Sequence, residues 1–93
     1  MPIPQEILKE HIIMALNALD NGHKIPPACE SRGYDLIYRG KRYPPKYVIR
    51  LAYRFVSPSG EILPPFEGAR MARNFLRSRD IPVFNKAGEL VTE

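Results

Sequence analysis

The stretch YDLIYRGKRYPPKYVIRLAYR, residues 34–54, decides the fold. Tyr34, Leu36 and Tyr38 alternate with Asp35, Ile37 and Arg39, and a period of two belongs to a strand. Gly40 supplies a turn, and Lys41, Arg42 and Tyr43 run back as a second short strand. Pro44 stops that strand, while Pro45 suits the first turn of a helix because its missing N–H would have no partner there. Over residues 45–56, Val48, Leu51, Ala52 and Phe55 form one apolar stripe. A hairpin leading into a helix is the nucleus of an α+β domain. The same stretch holds six of the fourteen Lys and Arg residues, all five tyrosines, and a single acid, Asp35.

Working outward, residues 4–20 place Ile7, Leu8, His11, Ile12, Ala15, Leu16 and Leu19 at spacings of three and four, an amphipathic helix. Pro4 sits in its first turn, and Asn21-Gly22 ends it, since glycine accepts the left-handed backbone of a helix C-terminus. His11 lies beside the stripe as a structural histidine. Residues 23–33 form a connector in which Pro26 and Pro27 forbid regular helix. Residues 56–65 read as a loop, with Ser57-Pro58-Ser59-Gly60 as its turn and Ile62 and Leu63 tucked against the core. A third helix spans residues 66–79, with Ala69, Ala72, Phe75 and Leu76 facing inward. Ile81, Pro82, Val83 and Phe84 then read as a strand, a turn follows at residues 85–88, and Leu90-Val91 is a possible partner segment.

These elements predict three helices packed on a small antiparallel sheet built from residues 34–38, 41–43 and 82–85, with 89–91 as a further candidate. The expected core is Leu8, Ile12, Leu16, Leu36, Val48, Leu51, Phe55, Ala72, Phe75, Leu76 and Val83. With 93 residues, residues 1–93 make one domain with one modest core. A hydrophobic share of 44% and a charged share of 26% are those of an ordinary soluble protein. No apolar run reaches the roughly 18 residues of a membrane span, and no signal peptide is visible, so no membrane is expected and the expected compartment is the cytoplasm.

Catalysis requires a nucleophile, base or metal held within mutual reach. Cys29 is the only cysteine and has no base or metal-ligand pattern around it, so it reads as a small semi-buried residue. His11 and His23 are joined by no carboxylate pattern, and Gly40-Lys41 lacks the upstream glycines of a phosphate loop. No enzyme and no cofactor are expected.

A net charge of +4 and a pI near 9.5 make nucleic acid a partner to consider. Lys46, Arg50 and Arg54 recur every four residues on one helix, and Arg70, Arg73 and Arg77 make a second stripe on another. With the Arg39-Gly40-Lys41-Arg42 tip, these stripes form a candidate surface for the phosphate backbone. Tyr38, Tyr43 and Tyr47 are candidates for stacking on a base or touching phosphate, set against a packing role for each ring. Arg77 also complements its helix dipole.

The string Tyr34-x-Leu36 with Gly40-Lys41-Arg42-Tyr43-Pro44-Pro45-Lys46-x-Val48-Ile49-x-Leu51-Ala52 resembles the N-terminal head domain of modification-dependent restriction endonucleases, chains that also carry an SRA-type base reader and an HNH nuclease. Phe66-x-Gly68, Asn74-Phe75-Leu76 and Ile81-Pro82-Val83 are similar to the domain's second signature and closing strand, and Ala69 stands where that family often has a second glycine. The resemblance covers about residues 10–85. It implies an accessory, DNA-related, non-cutting domain.

The expectation is a small accessory DNA-binding domain using Arg39, Lys41, Arg42, Tyr43, Lys46, Tyr47, Arg50, Arg54, Arg70, Arg73 and Arg77 on duplex DNA. The alternative is a protein-interaction adaptor that docks on a separately encoded nuclease or other effector. RNA binding would share the charge but lacks the sheet aromatic signature of common RNA modules.

Overall fold

The computed structural model describes residues 3–25, 33–64 and 69–91. Helix α1 spans Lys9–Asp20, strands β1 and β2 span Tyr34–Tyr38 and Lys41–Tyr43, helix α2 spans Pro45–Ala52, helix α3 spans Ala69–Ser78, and strand β3 spans Phe84–Asn85. The expected α+β arrangement of three helices and a three-stranded antiparallel sheet is what the chain forms. The expectations for Pro26, Pro27, Cys29, Phe66 and the side chain of Ala69 lie outside the described residues.

The hairpin closes in two residues, with Arg39 at φ 53° and Gly40 at φ 78°. Positive φ at both positions makes a type I′ turn, whose twist matches that of the flanking strands. The register pairs Leu36 with Tyr43, Ile37 with Arg42 and Tyr38 with Lys41. On its other side β1 pairs with β3, Tyr34 opposite Asn85 and Asp35 opposite Phe84. Leu90 extends the sheet through a bridge to Phe84, flanked by hydrogen bonds from the Asn85 N–H to Glu89 O and from the Val91 N–H to Val83 O, so the candidate fourth segment joins the sheet as a single bridge.

Helix α1 begins later than its periodicity predicts. Leu8 is the N-cap with extended backbone, which swings its side chain off the helical stripe and leaves it 46% exposed instead of in the core. Ile3 and Ile7 fill that part of the core. His11 is structural as expected, its Nδ1 accepting the Leu8 N–H at 2.9 Å. At the other end, Gly22 at φ 107° lets its own N–H reach Leu19 O and the His23 N–H reach Ala18 O, which satisfies two carbonyls that the helix leaves open.

Phe55 is the second departure from the expected core, at 40% exposed. Helix α2 tightens into a 3-10 turn at Tyr53–Phe55, and three residues per turn rotate Phe55 out of the stripe set by Val48, Leu51 and Ala52. The other predicted core residues are buried, joined by Tyr43, Tyr47 and Ile49. α1 and α2 share the most extensive interface, and the helices lie on the sheet face that carries Tyr34, Leu36 and Tyr38.

Candidate nucleic-acid interface

The hairpin tip faces the end of α1. That helix ends on Asp20 with no cation in its last turn, a poor match to the negative end of its own dipole. The hairpin supplies the missing charge, with Arg39 Nη1 3.7 Å and Lys41 Nζ 3.5 Å from the Asp20 carboxylate. Tyr38 Oη donates to Asn17 Oδ1 at 2.6 Å and fixes the distance between hairpin and helix. The two cations stay 66% and 64% exposed, so these are loose pairs in a high dielectric.

One residue further along β2 the alternation of a strand turns Arg42 to the opposite face. There its Nη1 lies 3.0 Å from Oδ2 of Asp35, a carboxylate 2% exposed. Lys86, from the turn after β3, reaches the same oxygen at 3.2 Å. The predicted tip residues therefore divide between two faces, Arg39 and Lys41 meeting at Asp20 and Arg42 at Asp35, where the structure adds Lys86. Only the β1–β3 register brings Lys86 there, and its local sequence shows no more than a turn.

The two helical stripes are less free than their spacing suggests. Arg50 Nε donates to Leu63 O at 2.7 Å while the Leu63 N–H returns to Arg50 O, so this side chain clamps the loop after α2. Arg54 Nε reaches Gly60 O at 3.4 Å in the same loop. Lys46 is half-buried. Charge reversal at Arg50 and Arg54 would therefore also release residues 60–63.

On α3, the Arg73 guanidinium lies 4.0 Å from the centroid of the Tyr34 ring, with Nε buried and bonded to nothing. Arg77 donates to Asn74 Oδ1 at 2.6 Å. Arg70 is exposed beside a groove of about 530 Å³ lined with Ile3, Gln5 and Phe75. The α2 stripe is anchored on the loop at 60–63 and Arg73 on the start of β1, so they are held by different parts of the fold.

Tyr43 and Tyr47, expected at the interface, are 6% and 5% exposed. Tyr43 lies opposite Leu36 on the core face, and Tyr47 is held by His23 Nε2 at 2.9 Å. Neither ring has a face to offer a base. Burial, then the Asp20 carboxylate, push the Tyr43 phenol above its ordinary pKa. Its hydroxyl is buried without a hydrogen-bond partner.

Among the described residues no three His, Cys, Asp or Glu side chains gather as metal ligands, and no helix is long and apolar enough to cross a membrane. Fold and site together define a small basic α+β domain with a cationic hairpin. Comparison with protein-family models, with curated proteins and with solved structures gave no match.

Proposed function

We propose that this chain is a non-catalytic DNA-binding module that grips the phosphate backbone with the β1–β2 hairpin, the accessory role that the head-domain resemblance implies. The observation that carries the reading is the charge balance at the tip. Arg39 and Lys41, each about two-thirds exposed, have the one carboxylate of Asp20 between them, and Arg42 follows directly on the other strand face. Arg39 moreover occupies a left-handed turn position that glycine or asparagine fills at lower cost, by about 1 kcal/mol. Strain of that kind is kept where a side chain has a task. Arg54 and Arg70, also exposed, supply more distant backbone contacts.

The test is binding of a labelled DNA oligonucleotide at about 50 and 200 mM salt, for the parent and for Arg39→Gln, Lys41→Gln and Arg42→Gln. Affinity should fall steeply with salt, with log K losing about 0.9 per phosphate neutralised for each decade of salt, and each variant should flatten the slope by about one. No binding at 50 mM, or variants with the parent's slope, would refute the reading.

A further inference from the structure

The outer face of the sheet lies opposite the helices and, Asp35 apart, is partly exposed among the described residues. By register and alternation it carries Ile37 and Arg42 side by side, Asp35 beside Phe84, and Leu90 on the far side of Phe84. Ile37 is 37% and Leu90 57% exposed. Phe84, half-buried, stands apart from the hydrophobic core, whose residues point the other way. Arg42 and Lys86 rim this apolar strip, their side chains 44% and 52% exposed even while they hold Asp35.

We infer that this face is a stacking platform for an unpaired nucleobase of a single-stranded segment, with Phe84 beneath the base and Arg42 and Lys86 toward its phosphates. The inference rests on the DNA-binding reading and adds the strand form. One observation and one general property of nucleic acids select this occupant. The platform pairs one aromatic ring and two aliphatic side chains with flanking cations, which matches a flat apolar base carrying a negative backbone. A base paired inside a duplex cannot present its ring to a flat sheet, whereas an unpaired one can be splayed onto it. The apolar strip would be wasted on duplex phosphates alone.

The chain has no tryptophan, so Phe84→Trp creates a single fluorescent reporter. Emission of the introduced indole should be quenched on titration with a short oligothymidylate and left unchanged by a duplex of equal length, with circular dichroism confirming an unaltered fold. Phe84→Leu, which keeps an apolar side chain there, should weaken oligothymidylate binding about tenfold and duplex binding little, as expected for one lost base–aromatic stack. Oligothymidylate that binds, by anisotropy, with the indole reporter silent would overturn this inference alone and leave the hairpin reading standing. So would equal quenching by both strand forms. Binding of neither form at about 50 mM salt would overturn both readings, and the exposed strip would then fall to a protein partner.

Discussion

The guanidinium of Arg42 lies 3.0 Å from the carboxylate of Asp35, and that carboxylate is sealed from water on the sheet face away from the helices. Two cations reach it, Arg42 from an edge strand and Lys86 from the turn beyond β3. The ion pair therefore ties both neighbours of β1 to it.

Asp35→Asn should cost about 1–3 kcal/mol, read as a lower urea midpoint. This lies below the usual cost of breaking a buried pair, because the cations left behind can turn to water. The same change should strengthen DNA binding at about 100 mM salt, since Arg42 and Lys86 lose an internal competitor. Weaker binding would show that Asp35 positions the two cations for the ligand.

Arg39→Gly should raise stability by about 0.5–1 kcal/mol through relief of the left-handed backbone, less the small contribution of its exposed pair with Asp20. DNA affinity should fall in the same protein. Stability and binding moving in opposite directions is the expected signature, measured by urea unfolding and salt-dependent titration.

Tyr43→Phe isolates a buried hydroxyl. Its folded-state pKa is raised above the ordinary 10.0, so the folded chain holds this proton more tightly than the unfolded chain. The stability this contributes is full below pH 10 and is lost as pH rises through the folded-state value. The variant should lose that alkaline decline, compared at pH 7 and about pH 11. At pH 7 its stability should differ by less than about 1 kcal/mol, since the missing hydroxyl made no hydrogen bond.

Arg79 sits beside the third helix without belonging to the interface. Its Nε donates to Ile7 O at 2.8 Å and its Nη2 to Gln5 O at 3.1 Å, while the guanidinium lies over Phe75. Arg79→Met should cost about 1–3 kcal/mol by leaving both carbonyls without their donor, and Arg79→Lys should recover little, because one ammonium cannot span both and stack. The salt slope for DNA should fall by less than that of Arg39→Gln.

What the sequence by itself determined is local. The hairpin, its two-residue turn, the Pro45 start of α2 and the Gly22 end of α1 each follow from residues within a few positions of one another, where dihedral preference decides. Even the departures at Leu8 and Phe55 are shifts of a helix end, where a few backbone angles redirect one side chain. Tertiary structure alone decided which charges are free. Lysine and arginine at helical spacing look alike in sequence, yet Arg50 clamps a loop, Arg73 covers a ring, and Arg39 and Lys41 reach for a helix end some twenty residues away. Their partners are carbonyls, rings and carboxylates from distant segments, brought near only when the core packs. The partly exposed sheet face has the same origin, because alternation says that Ile37 and Phe84 share a side of their strands, and only the packing of the helices on the other side leaves that one without a helix among the described residues.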